Sequence, residues 1–134
     1  MRIGELSHRT GASRRSLRYY EDQGLLVSAR AASGQRHYVD DHVRRVELIR
    51  AFLAAGLSSA TIAELVPCMA QPTVLTARRA ATTMDRERDR LSSAIGALAA
   101  ARAALDDLIA VNRTYLDDHG DRHGADRPAR PPVR

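Results

Sequence analysis

Residues 13–26, SRRSLRYYEDQGLL, decide the fold and the function that the sequence predicts. Ser13 is a favourable N-cap residue, so it predicts a helix that begins at Arg14 and ends near Gln23. A helix advances by about 100° per residue, and this spacing separates the side chains into two faces. The cationic face consists of Arg14, Arg15, Arg18 and Tyr19, and the apolar face of Leu17 and Tyr20.

The cationic face is suited to a polyanionic partner such as double-stranded DNA. Arginine binds phosphates and guanine edges through two parallel hydrogen bonds, and a tyrosine hydroxyl can donate to a phosphate. A solvated surface helix without a partner is the alternative interpretation, because most charged helix faces bind nothing specific. The surrounding sequence has to decide between the two.

The charge of the chain is concentrated around this helix. The 134 residues contain 21 arginines and no lysine against 16 carboxylates, which gives a formal net charge of +5. Residues 1–50 contain ten of the arginines and six of the carboxylates, so nearly the whole surplus lies there. This distribution favours a nucleic-acid partner.

The segments on either side of the helix complete a helix-turn-helix with a wing. A short helix over residues 4–9 and a glycine-containing turn precede it, which makes residues 4–23 a helix-turn-helix. Ser33 and Gly34 predict a turn between two short strands, so residues 27–38 form a β-hairpin wing. Arg36 and Tyr38 are two residues apart on one strand and therefore point the same way.

Two further helices and a long C-terminal helix follow. Helices over residues 40–55 and 58–66 complete a DNA-binding domain of residues 1–69, and residues 70–76 form a linker. Residues 77–116 carry an apolar heptad repeat on a helix roughly 60 Å long, which needs a second copy to cover it. Arg88 and Arg102 in this repeat favour an antiparallel pair. The predicted dimerisation residues are Met84, Leu91, Ile95, Leu98, Leu105 and Ile109.

The sequence resembles the MerR family of transcription regulators over residues 3–66. IGELSHRTGASRRSLRYYEDQGLL is similar to the opening of the family, GQRHY to its wing, and DDHVRRVELI and GLSSATIAEL to its third and fourth helices. The resemblance implies a mainly all-α, winged helix-turn-helix protein with a long antiparallel coiled-coil dimerisation helix. It also implies a homodimer that binds palindromic promoter DNA and distorts it so that RNA polymerase can engage both promoter elements.

The resemblance also implies roles for single residues. By position, Arg15 would contact base edges, and the remaining DNA contacts would be made to phosphates and groove walls by Ser13, Arg14, Arg18, Tyr19, Arg36 and Tyr38. Gln35 stands where the family usually has a tyrosine, so the aromatic contact of the wing is missing. An effector-independent repressor or an architectural DNA-binding protein with the same fold is the alternative function.

The effector is unknown, and it is expected to be a small molecule or a stress signal. Cys68 is a candidate thiol sensor, although a lone cysteine is more often a small buried residue. His119 and His123 are candidate metal ligands in residues 117–134, which are otherwise expected to be a disordered tail. No cofactor is expected.

Several other classes of protein are disfavoured. A single cysteine allows no intrachain disulfide, and no signal peptide or membrane span is visible, so a soluble, cytoplasmic protein is expected. The chain shows no glycine-rich phosphate loop and no nucleophile with a matching base. The sequence therefore predicts a regulator rather than an enzyme.

Overall fold

A computed structural model describes residues 1–120 of the chain. It contains five helices and one two-stranded sheet within these residues. In chain order they are α1 (Ile3–Thr10), α2 (Arg14–Asp22), β1 (Ala29–Arg30), β2 (Arg36–His37), α3 (Asp40–Ala54), α4 (Ser59–Ala70) and α5 (Val74–His119). The chain divides into a first unit, Met1–Arg88, and a second unit that begins at Asp89. None of the helices in residues 1–120 has the length and apolar character that crossing a membrane requires.

The turn between α1 and α2 is held by local hydrogen bonds. Gly11 ends α1 with a φ of 75°, a conformation that glycine adopts without steric cost, and its N–H donates to Ser7. The hydroxyl of Ser13 accepts a hydrogen bond from the backbone N–H of Ser16 at 3.0 Å, which is the predicted N-cap of α2. These contacts fix where the cationic face begins.

The core of the first unit lies between α1, α2, α3 and α4. The apolar face of α2 contributes Leu17 and Tyr20, and both are buried as predicted. Most of the other core residues are aliphatic and lie on the inner faces of the remaining elements. They include Leu6, Leu25, Leu26, Tyr38, Val46, Ile49, Phe52, Ile62, Leu65 and Val66.

The wing is a short antiparallel hairpin in which Arg30 pairs with Arg36 and Ala29 with His37. Gly34 has a φ of 80° in the turn, as the Ser33-Gly34 signal predicts. The backbone of Met1 runs beside the end of β2, where the N–H of Tyr38 donates to the carbonyl of Met1 at 2.8 Å. The start of the chain and the wing therefore lie next to each other.

The fourth helix is longer than the sequence predicts. Pro67 predicts the end of this helix, but α4 continues to Ala70 with Pro67 inside it. Proline lacks only one helical hydrogen bond, and the partly buried Cys68 and Met69 pack against the core and hold the last turn. The predicted linker 70–76 is correspondingly reduced.

The C-terminal helix also exceeds its expected bounds of 77–116. It begins at Val74, where Thr73 accepts a hydrogen bond from the N–H of Thr76 at 3.1 Å, and it continues to His119. Residues 117–119 are therefore helical rather than part of a disordered tail. The remainder of that expected tail, residues 121–134, lies outside the described residues.

Candidate nucleic-acid interface

The cationic face of α2 is exposed along its whole length. Arg14, Arg15, Arg18 and Tyr19 are exposed, while the apolar face behind them is buried. The helix is therefore anchored by one side and presents three guanidinium groups on the other. The Tyr19 hydroxyl lies 3.4 Å from the hydroxyl of Ser59, so this ring reaches toward the start of α4.

A cleft beside α2 gathers further arginines that the sequence did not single out. Its volume is about 320 Å³, and it lies between α1, α2 and the wing. We call it the arginine cleft. Its lining residues are Arg2, Ile3, Arg18, Arg30, Gly34, Gln35 and Arg36. Four guanidinium groups around one open cleft form a strongly attractive site for phosphate.

Arg2 and Arg30 were missed because only the tertiary fold brings them to the arginine cleft. Arg2 precedes α1 and shows no periodic signal, and Arg30 lies in a strand of two residues. The guanidinium of Arg30 donates to the carbonyl of Gly34 at 2.9 Å, so this arginine is fixed across the turn of the wing. The surplus of arginine in the first 50 residues was the available sequence signal, but it did not show which arginines line the cleft.

Tyr38 does not lie in the interface, contrary to the expectation that it contacts phosphate. Its residue surface is fully buried, and its hydroxyl donates a hydrogen bond to Glu21. Burial, together with this hydrogen bond, raises the pKa of Tyr38 to about 12. The prediction that Arg36 and Tyr38 share one strand is wrong, because β2 contains Arg36 but ends at His37 and the chain turns into the core at Tyr38.

Glu21 connects the wing to α2. Its other carboxylate oxygen lies 3.5 Å from Nε of Arg36, whose side chain is about half exposed. Glu21 is thus shared between Tyr38 in the core and Arg36 at the rim of the arginine cleft. Glu21 is not singled out by the sequence, because two adjacent acids at the end of a basic helix, Glu21 and Asp22, have no distinctive spacing.

Two of the other arginines in the first 50 residues make contacts within the fold. Arg9 forms an ion pair with Asp40 at 2.7 Å and so joins α1 to the start of α3. Arg50 donates to the carbonyl of Thr10 at the end of α1. The structure therefore separates arginines that join helices from those that surround α2 and the wing.

The predicted dimerisation residues do not all share one environment. Met84 is partly buried and packs against the core of the first unit, and its assignment to the dimer seam stays a prediction. The second unit contains the other five, and Leu98 is 72% exposed there. We call these five the apolar stripe. They are Leu91, Ile95, Leu98, Leu105 and Ile109.

Cys68 lies at the edge of a cavity of about 480 Å³ within the first unit. Its thiol is partly buried and donates to the carbonyl of Glu64 at 3.4 Å, a contact within its own helix. Arg79, Thr82 and Thr83 of α5 line the other side of the cavity. The arrangement is compatible with a structural thiol, and its proposed role as a sensor remains a prediction.

Of the two candidate metal ligands, His119 lies within the described residues. The ring of His119 stacks on Tyr115 with a centroid separation of 4.2 Å, and His123 lies outside the described residues. Within residues 1–120, no three His, Cys, Asp or Glu side chains form a group that could hold a metal ion. His119 therefore makes an aromatic contact within α5, and its role as a metal ligand stays a prediction.

Comparisons with known proteins find similar chains among the transcription regulators. Residues 1–67 match the family model described as MerR HTH family regulatory protein. The chain is 34% identical over 134 residues to heavy metal-dependent transcription regulator 2 of Rhizobium meliloti, covering 96% of this chain and 80% of that protein. It is 41% identical over 75 residues to a SoxR homolog, an HTH-type transcriptional activator of Chromobacterium violaceum. That alignment covers 53% of this chain and spans half the length of the activator.

One solved structure is similar in fold to nearly the whole chain. The transcription regulator PbrR691 from Ralstonia metallidurans CH34, determined in complex with lead(II), superposes with a TM-score of 0.60. The superposition covers 96% of this chain and 90% of that chain, at 25% sequence identity. The similarity therefore extends beyond the first unit.

Proposed function

Because this chain belongs to the MerR family of HTH regulatory proteins, we propose that it regulates transcription as a homodimer bound to a palindromic promoter sequence. The observation that carries the proposal is the exposed cationic face of α2 beside the arginine cleft. Together they present phosphate-binding groups from α1, α2 and the wing on one part of the first unit. The activity is that of a cytoplasmic DNA-binding protein without enzymatic chemistry.

The proposed roles of the arginines follow from their positions. We propose that Arg15 enters the major groove and contacts base edges, and its exposure on α2 outside the arginine cleft supports this role. Arg2, Arg18, Arg30 and Arg36 line the cleft and bind phosphates, which supply affinity without sequence information. Specificity and affinity thus come from different residues.

The homodimer is proposed from the second unit. The apolar stripe is too large to leave in water, and burying one leucine side chain contributes roughly 1.5–3 kcal/mol. A two-fold pair counts each residue twice and presents two copies of α2. The DNA target should therefore contain two symmetric half-sites.

The proposed mechanism uses distortion of the DNA between the half-sites. A dimer that holds both half-sites can bend or untwist the central base pairs, and this changes the spacing that RNA polymerase meets. The effector that controls the change is not assigned. A response to lead or other soft ions is not part of the proposal, because such ions prefer several thiolate ligands and the chain has one cysteine.

Selection of DNA from a random pool by the wild-type chain tests the proposal. The expected result is a palindromic consensus, protected on one face of the duplex. Transcription from that site with purified RNA polymerase should change when the protein is added. A consensus without symmetry would contradict the dimer, and binding without any effect on transcription would favour an architectural protein.

The Arg15→Ala variant tests the proposed readout. Loss of a bidentate base contact should weaken binding to the selected site by about 1–3 kcal/mol and relax the preference at one base pair of each half-site. Arg44→Ala removes an exposed arginine from α3 and serves as the matched control, with little effect expected. An unchanged consensus in Arg15→Ala would remove this residue from base readout.

A further inference from the structure

Gly4 leaves space that the guanidinium of Arg14 occupies. Gly4 lies in the first turn of α1, and Arg14 is the first residue of α2. A Cβ added at Gly4 would lie 2.6 Å from Nη2, 3.3 Å from Cζ and 3.5 Å from Nε of Arg14. The first distance is too short for any real Cβ contact, so a side chain at position 4 requires the guanidinium to move.

The backbone does not require glycine at this position. The glycines with positive φ in residues 1–120 are Gly11, Gly24, Gly34 and Gly56, and Gly4 has ordinary helical geometry instead. Glycine within a helix is less favourable than alanine, because it loses more conformational freedom on folding. The backbone conformation therefore does not explain the glycine at position 4. Its structural effect is to leave the space that the guanidinium of Arg14 occupies.

The position of the guanidinium matters because Arg14 belongs to the exposed cationic face of α2. Arg2 and Ile3, which directly precede Gly4, form the α1 side of the arginine cleft. The side chain of Arg14 extends from the start of α2 to Gly4 in the first turn of α1, and Arg14 is not among the lining residues of the cleft.

We infer that Gly4 is a positioning residue for DNA binding, because its missing side chain allows Arg14 to lie on the first turn of α1 and bind a DNA phosphate there. The inference rests on the proposed function, since it assumes that the arginine cleft faces DNA. Gly4 itself contacts no phosphate through a side chain and acts through Arg14. It should therefore affect DNA binding and protein stability in opposite directions.

A double-mutant cycle tests this inference with Gly4→Ala, Arg14→Ala and the combined variant. The probe is a duplex of about 30 base pairs, long enough for two half-sites, selected from a random pool by the wild-type chain. Gly4→Ala should raise the midpoint of thermal unfolding, because alanine favours the helix, yet weaken DNA binding by about three- to tenfold. Arg14→Ala should weaken binding at least as much, and the combined variant should be no weaker than Arg14→Ala.

Gly96→Ala is the matched control. A Cβ added at Gly96 meets no atom within 4 Å in the described part of the chain, and position 96 lies outside the apolar stripe. This variant should gain thermal stability without losing DNA affinity. A stability gain alone therefore cannot explain weaker binding in Gly4→Ala.

Several outcomes would overturn the inference. One is a Gly4→Ala variant that binds DNA like the wild type, and another is a loss that adds fully to that of Arg14→Ala. Loss of the fold in Gly4→Ala would also overturn it, because the nearest atoms belong to the end of a flexible side chain that can move. A wild-type chain that binds no duplex would overturn the proposed function and this inference together.

Discussion

The two units of the chain expose opposite kinds of side chain, and this contrast shows how each one functions. The first unit has a closed apolar core and leaves the arginines of α2 and the cleft at its surface. The second unit begins at Asp89, and in its described part the large apolar side chains are exposed. Exposed arginines that do not join helices are available for a polyanion, whereas exposed leucines on a helix indicate a protein partner.

The largest effect is expected from a charge in the apolar stripe. Leu98→Asp would bury two carboxylates in a symmetric dimer, at a cost of several kcal/mol that exceeds what one leucine contributes. Sedimentation should show a monomer that no longer binds a full palindrome. Ala100→Asp, on the opposite face of the same helix, should remain a dimer.

A Leu98→Asp chain that sedimented as a dimer would contradict the assigned stripe. If Leu98→Asp and Ala100→Asp both became monomeric, a charge on either face of α5 would prevent pairing. The two faces of the helix would then no longer differ in their effect on the dimer. Circular dichroism of both variants distinguishes loss of pairing from loss of helix.

A smaller effect is expected from a single phosphate contact in the first unit. Arg18 belongs both to the cationic face and to the arginine cleft, so Arg18→Ala should weaken binding to all DNA sequences similarly. The slope of log affinity against log salt should become shallower by about one. A titration in which Arg18→Ala changed sequence preference but kept the wild-type slope would assign this residue to base readout instead.

The next effect is a dependence of stability on pH that comes from Tyr38. Its pKa is raised to about 12 in the fold, against about 10 in an unfolded chain, so the folded state binds this proton more tightly. The resulting stability is fully present below pH 10 and is lost as the pH rises from about 10 to 12. The free energy of unfolding should fall less steeply over this range in Tyr38→Phe than in the wild type.

Glu21→Gln provides the control for this network. It keeps the shape of the side chain but replaces the carboxylate that accepts from Tyr38 and pairs with Arg36. The pH dependence attributed to Tyr38 should become weaker, and the salt dependence of DNA binding should change as Arg36 is released. An unchanged profile in both variants would contradict the proposed coupling of core and wing.

The smallest effect is expected at Cys68. Its thiol donates to a carbonyl of its own helix, and a serine hydroxyl can replace that hydrogen bond. Cys68→Ser should therefore bind DNA like the wild type and respond equally to the physiological signal in a promoter reporter. A reporter that lost its response to oxidants at normal protein levels would identify Cys68 as a sensor.

The sequence predicts the local features of the interface because short-range rules determine them. The Ser13 cap, the two faces of α2 and the turn at Gly34 all depend on neighbouring residues, and each is present in the structure. The family assignment is confirmed by the match over residues 1–67. The end of α4 was not predictable, because Cys68 and Met69 pack against the core and continue a helix that Pro67 would locally have ended. The start of α5 at Val74 coincides with a local cap, in which Thr73 accepts from the N–H of Thr76.

The features that were missed depend on contacts between distant segments. Arg2 and Arg30 reach the arginine cleft from residues that show no periodicity, and Glu21 is recognised only by its partners on β2 and beyond. Met84 follows the apolar heptad repeat of α5, and it packs against the core of the first unit. Periodicity assigns a residue to a face of a helix, and only the fold shows what covers that face.

The number of chains bound per DNA duplex tests directly whether two copies of α2 act on one duplex. Sedimentation of the wild-type chain with a full palindrome and with a single half-site measures it. We expect two chains on the full palindrome, and much weaker binding to the half-site. One chain bound per duplex, with equal affinity for both, would contradict this expectation.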